Sequence, residues 1–215
     1  MAREAYNIAV TGNSGRGKSY SLRNLDPETT GFINMEAKPL PFKNNFKFYY
    51  VPKDWNDAYN KLIEYAKNDS VKTVVLESFT QYMDSVLKAS REIKKGFDIW
   101  NFYNQKIGEL NYIIKRYPKD IIVTAHTEKV ETDNGVVEER IFVKGKEWKS
   151  DIEKDYTIVL YADAKISDSS KRDYFFRLNT DGIINAKTPP MLFEDQETIP
   201  NDVKEVLDEL DRVFN

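Results

Sequence analysis

NIAVTGNSGRGKSYSLRNL, residues 7–25, decides the fold. An apolar run, Asn7 to Thr11, leads into Gly12, and after four residues come Gly17, Lys18 and Ser19. At average composition, Gly-x4-Gly-Lys-Ser/Thr arises by chance in roughly 1% of chains of this length. Glycines let backbone N–H groups turn inward around phosphate oxygens, and the start of a following helix favours negative charge there. The stretch therefore predicts strand, phosphate loop and helix, with Gly12, Asn13, Ser14, Gly15, Arg16, Gly17, Lys18, Ser19 and Tyr20 as the nucleotide-binding loop. In such loops the lysine reaches the β- and γ-phosphates and the serine hydroxyl binds Mg²⁺, which assigns those roles to Lys18 and Ser19.

Outward from the loop, strand-length apolar runs alternate with longer helical patterns, as in a parallel sheet covered by helices. The expected strands are Asn7 to Thr11, Gly31 to Asn34, Phe46 to Val51, Thr73 to Glu77, Ile121 to Ala125 and Thr157 to Ala162. TVVL and IIVTA do not alternate with polar residues, so both read as central strands buried on two faces. Helices are expected from Asp54, after Ser78, and through Trp100, Tyr103, Ile107, Leu110 and Ile114 up to Pro118, with Gly96 at the joint between the last two. On this spacing Trp100 and Tyr103 belong to the core. Asp133-Asn134-Gly135 between alternating segments predicts a β-hairpin over residues 128–143. DYFFRLN and Thr180-Asp181-Gly182 predict a strand and turn, and a last helix follows Asp202.

A chain of 215 residues with 40% apolar content suits one domain, 1–215. Its net charge of −3 exerts no global pull on nucleic acid, so any such binding must be local. The absence of cysteine excludes disulfides and thiolate metal sites, and a single histidine excludes a multi-histidine one. No apolar run approaches a membrane span, which leads to the expectation of a soluble, cytoplasmic protein without membrane contact.

In a parallel sheet the ligand lies beyond the carboxyl ends of the strands, and Glu36, Glu77 and His126 all stand at such ends. Glu36 could orient and deprotonate an attacking water. Glu77 could hold Mg²⁺ through a water, and His126 could sense the nucleotide. The plainer alternatives are a solvated acid, a strand cap and a structural histidine.

Four motifs in order, the phosphate loop, GFINMEAKPL, VVLES and IIVTAH, followed by VKGKEWKSDIEKDYTIVLYAD, resemble the RecA-like ATPases. The likeness is strongest to compact phage-encoded proteins, AAA-family ATP-binding proteins associated with single-strand annealing and recombination. It implies an α/β P-loop NTPase fold, a RecA-like core with a mostly parallel sheet flanked by helices and an added β-hairpin. It further implies ATP and Mg²⁺ as ligands, with Glu36 as catalytic carboxylate, Lys18 and His126 at the γ-phosphate, and Glu77 where the family usually has aspartate.

RecA-like enzymes often take a basic residue from a neighbouring subunit, and Lys144 and Lys146 occupy the corresponding segment, beside Arg140 and Lys149. The implied partners are single-stranded DNA, a phage or host recombination or replication protein, and further copies of the chain. The first strand starts within the opening ten residues, so no docking arm of the RecA type is expected. A ring, or assembly only on DNA, is the alternative. Local basic clusters for DNA are Arg91, Lys94 and Lys95, and Lys115, Arg116 and Lys119. Three other functions compete. A phosphotransferase would need an arginine-rich lid, which the acidic hairpin does not make. A loader of the AAA+ class would need a helical lid domain, hard to fit after the last core strand. A non-hydrolysing module would use ATP only to shape a binding surface.

Overall fold

Buried apolar runs place β1 (Asn7–Thr11), β4 (Thr73–Glu77) and β5 (Asp120–Ala125) at the centre of an eight-stranded sheet. The structure, a computed structural model, describes residues 3–132, 134–145, 147–148, 152–166 and 171–215. The other strands of the sheet are β2 (Thr30–Asn34), β3 (Phe48–Tyr50), β8 (Ile158–Ile166), β9 (Arg172–Arg177) and β10 (Thr198–Pro200). A separate hairpin joins β6 (Thr127–Glu131) to β7 (Val137–Ile141). The sheet order is β10-β9-β8-β1-β5-β4-β2-β3. From β8 to β3 all neighbours are parallel, while β9 runs against β8 and β10 against β9.

Alternation along each strand sorts the core into two layers. Ala9, Val74, Leu76, Ile121 and Val123 face α1 (Trp55–Lys67), α2 (Phe79–Ile93) and α3 (Asp98–Lys115). Ile8, Val10, Val75 and Ile122 face the other way, with Phe176 and the Val203, Val206 and Leu210 stripe of α4 (Val203–Phe214). Each fully buried side chain of this size contributes roughly 1.5–3 kcal/mol. Helix starts are set by caps: Asp54 accepts from Asp57 N–H at 2.9 Å, Ser78 from Gln81 N–H at 3.4 Å and Asp202 from Lys204 N–H at 3.0 Å.

Two expectations need correction and one is refined. The helical segment expected after the phosphate loop is short, a single 3-10 turn, Ser19–Leu22. Only a short stretch separates Ser19 from β2, Pro27 breaks it, and Asp26 holds a turn by accepting from Glu28 N–H and the Thr29 hydroxyl. Trp100 is not core: it is 36% exposed, edge-on to the fully buried Tyr103, because it lies at the start of α3, on the rim of the apolar face. Strand pairing to β2 begins at Phe48 rather than Phe46. Phe46 stacks on Phe32 at 5.0 Å in the second core layer, while its N–H donates to Asn44 Oδ1. The hairpin forms as expected, closed by Gly135 N–H donating to Thr132 C=O at 2.8 Å; its turn residue Asp133 lies outside the described residues.

Register aligns the functional edge. Thr11 is level with Ala125 and Asn34 with Glu77, so the segments that follow β1, β2, β4 and β5 leave the sheet on one side.

Candidate active site

The loop after β1 is shaped by close backbone contact. Gly12 has φ 137°, and a Cβ there would lie 2.6 Å from the Ala162 carbonyl oxygen of β8. Gly17 has φ 92°, and a Cβ would meet Tyr174 Cδ1 at 2.8 Å and Asn201 Oδ1 at 3.1 Å. Asn13, Ser14, Gly15 and Arg16 form the exposed outer curve. Arg16 does not face a ligand: it pairs with Asp163 at 3.2 Å and donates to the Ala164 carbonyl at 2.7 Å, fastening the loop to β8. Asn13 reaches Glu139 of the hairpin at 3.4 Å, and Glu139 also accepts from the Tyr161 hydroxyl. Tyr20 is 38% exposed, with the Arg23 guanidinium 4.3 Å over its ring and Tyr174 at 5.9 Å.

Lys18 is buried, and its Nζ donates to the Gly12 and Asn13 carbonyls at 2.8 and 2.9 Å. It also lies 3.4 Å from His126 Nδ1. Burial pulls the lysine pKa down to about 8, against the pull of Glu77 and Glu36. Burial and the Lys18 cation also lower the His126 pKa. An ammonium has only donors, so Nδ1 facing it is the acceptor and the ring proton sits on Nε2. The His126 backbone is tied on both sides, N–H to Thr80 Oγ1 at 3.2 Å and C=O to Phe142 N–H, just past β7, at 2.8 Å.

Ser19 Oγ donates to Glu77 Oε1 at 2.5 Å. Glu77 is 3% exposed, and its Oε2 has no hydrogen-bond partner. Burial raises the Glu77 pKa, opposed chiefly by the Ser19 hydroxyl and raised further by Glu36. A hydroxyl beside a carboxylate with one free buried oxygen is a hard-oxygen set that fits Mg²⁺. No group of three His, Cys, Asp or Glu able to hold a metal exists among the described residues.

Glu36 lies two residues past the end of β2, with its N–H donating to Asn34 Oδ1 at 3.1 Å and its carboxylate 3.6 Å from Lys38. Glu36, Glu77, His126, Lys18 and Ser19 line one cleft of about 270 Å³. Residues from four separate stretches of sequence thus meet at one edge of the sheet. The cleft also contains Lys38, Pro41, Ser78 and Tyr174, which the sequence did not single out. Lys38 and Ser78 neighbour Glu36 and Glu77 in the chain, whereas nothing in DYFFR marks Tyr174. Lys144 stands apart from the cleft, paired with Asp84 of α2; Lys146 lies outside the described residues.

No helix among the described residues is long and apolar enough to cross a membrane. Comparison with curated proteins finds no match. Among solved structures, a KaiC-like protein of the hyperthermophilic archaeon Pyrococcus horikoshii OT3 superposes with a TM-score of 0.53 at 12% identity, over 92% of this chain and 85% of the other. The RadB recombinase matches with a TM-score of 0.43 at 11% identity, over 86% of this chain and 92% of that one. At such identity the KaiC-like match speaks for the fold, and it agrees with the parallel sheet and phosphate loop. The model of the family described as AAA domain matches residues 4–193, most of the chain, so this protein belongs to the AAA domain family, with a RecA-like α/β P-loop fold.

Proposed function

We propose that the chain is a Mg²⁺-dependent ATPase that works on single-stranded DNA in recombination or annealing. The observation that carries the ATPase reading is the bond from Ser19 to buried Glu77, whose Oε2 has no partner, in one cleft with Lys18, Glu36 and His126. In this reading Lys18 leaves the Gly12 and Asn13 carbonyls for the β- and γ-phosphates, which supply the oxygens it now borrows from the loop. Ser19, directly, and Glu77, through water, would hold Mg²⁺, which when bound neutralises charge on the phosphate oxygens. Glu36 orients a water and takes its proton as the water oxygen bonds to the γ-phosphorus and the bond to the ADP oxygen breaks. Neutral His126 follows the movement of Lys18, and its backbone bond to Phe142 links that movement to the segment after the hairpin.

For DNA, the two basic clusters differ. Lys115 pairs with Asp155 at 2.7 Å, Lys119 donates to the Tyr65 and Asn68 carbonyls, and Arg116 covers the Tyr112 ring, so that cluster is engaged within the fold. Arg91, Lys94 and Lys95 are exposed at the α2–α3 turn beside Ile93, Phe97 (78% exposed) and Trp100. Cations with exposed aromatics suit a single strand, through phosphate contacts and base stacking. Assembly of several copies on the strand, with a recombination or replication protein as partner, belongs to the same reading.

The test is ATP turnover alone, with single-stranded DNA, and with nucleosides and nucleoside monophosphates. The proposal expects turnover stimulated by the strand, with stimulation lost in Phe97→Ala and all turnover lost in Lys18→Ala. Transfer of phosphate to a small acceptor, or ATP binding with no turnover under any condition, would contradict it.

A further inference from the structure

β8 pairs with β1 only from Ile158 to Tyr161, then continues past the sheet edge to Ile166 with β9 as its partner. The two strands form an arm along the phosphate loop, to which Arg16 is fastened through Asp163 and Ala164. Alternation puts Phe176, Tyr174 and Arg172 on one face of β9. Phe176 is buried in the core, anchoring the arm. Tyr174 packs on Gly17, and the Arg172 guanidinium lies 3.9 Å from where a Cβ of Gly15 would stand.

The cations around the loop differ in what they hold. Arg16 is bound to Asp163, Lys18 caps two loop carbonyls and Lys38 lies by Glu36. Arg172 is exposed, and no acid pairs with it among the described residues. A guanidinium paired with no acid among the described residues, and 3.9 Å from where a Cβ of Gly15 would stand, is placed to receive an anion at the loop, and its planar fork suits phosphate oxygens.

We infer that Arg172 is a phosphate-contacting catalytic residue supplied by the same chain. With ATP in the cleft, its guanidinium donates to the terminal phosphate oxygens at the Gly15 end of the loop and stabilises the charge that builds there during transfer. The inference rests on the ATPase reading above. It gives the site a cation in cis, in a place that Lys144, held by Asp84, does not reach.

The experiment measures equilibrium binding of fluorescent ADP and fluorescent ATPγS, with Mg²⁺, to the unaltered protein, Arg172→Ala, Arg172→Lys and Lys18→Ala, and ATP turnover of each. Arg172→Ala should bind ADP as the unaltered protein does, lose about tenfold or more in ATPγS affinity, and lose roughly 10³-fold in turnover. Arg172→Lys should recover part of both, since it restores charge but not the fork. Equal loss for the two nucleotides, or no loss, overturns the inference. Recovery of turnover on mixing Arg172→Ala with Lys18→Ala would also overturn it, since the arginine would then act between chains. If the unaltered protein binds neither nucleotide, the ATPase reading itself fails; if it binds and hydrolyses ATP while Arg172→Ala behaves identically, only the role of Arg172 falls.

Discussion

Replacing Lys18 with methionine should make the nucleotide-free protein more stable while removing its nucleotide binding. The lysine pKa falls from 10.5 to about 8 on folding, chiefly through burial. At about 1.4 kcal/mol for each tenfold change in proton affinity, the charged side chain opposes folding by about 3 kcal/mol at neutral pH. Methionine fills similar space without charge, but it leaves the Gly12 and Asn13 carbonyls without their donor, at about 1 kcal/mol each. The net expectation is a gain of about 1 kcal/mol at pH 7, the difference of those two figures. The sign of the pH dependence is independent of that balance. Between pH 8 and 10.5 the unfolded lysine holds its proton more than the folded one, so the stability of the unaltered protein rises with pH there relative to Lys18→Met. Urea unfolding of both proteins at several pH values from 7 to about 10.5, without nucleotide, measures this. A Lys18→Met protein that is less stable at pH 7 by several kcal/mol, or an advantage of Lys18→Met that does not shrink and reverse as pH rises, would refute the reasoning that the buried charge of Lys18 opposes folding.

Glu77→Gln keeps the hydrogen bond from Ser19 but removes the charge. The Mg²⁺ concentration needed for tight ATP binding should rise about 10–100-fold in a titration of fluorescent ATP. The folded carboxyl pKa lies above its ordinary 4.5, so the unaltered, nucleotide-free protein loses stability as pH rises through that raised value. Glu77→Gln lacks this loss and should match or exceed it above neutral pH in thermal unfolding. Gly17→Ala meets Tyr174 at 2.8 Å in a left-handed backbone, so it should destabilise by about 1–3 kcal/mol and weaken ATP binding in calorimetry. Leu210→Ala, at a fully buried position of α4, should cost about 2–5 kcal/mol in denaturant unfolding without changing nucleotide affinity in the folded protein.

Much of the fold was legible because its signals are local. TVVL and IIVTA are apolar on both faces; β4 spans the expected Thr73 to Glu77, and β5 starts one residue before its run, at Asp120. Asp54, Ser78 and Asp202 cap the helices they precede, since short polar side chains bond back to the backbone within three residues. Glu36, Glu77 and His126 could be brought together because a parallel sheet gathers its strand ends. What escaped depends on partners distant in sequence. The 3-10 turn after the loop follows from Pro27 and the Asp26 turn, whose effect on Ser19 to Leu22 is not visible in the loop pattern. Arg172 and Tyr174 reach the loop only because β9 pairs with an overhanging β8, and no spacing in KRDYFFR encodes that overhang. Arg16, read as part of the nucleotide loop, is directed to Asp163 by the same arm.

The most direct test of the central claim is phosphate release in a single turnover of bound ATP, with Mg²⁺ and with a chelator, for the unaltered protein and Glu36→Gln. The account predicts release that requires Mg²⁺ and falls about 10²-fold or more in Glu36→Gln while ATP affinity is retained, the size expected for loss of a general base. Release that proceeds without Mg²⁺, or equally fast in Glu36→Gln, would contradict it.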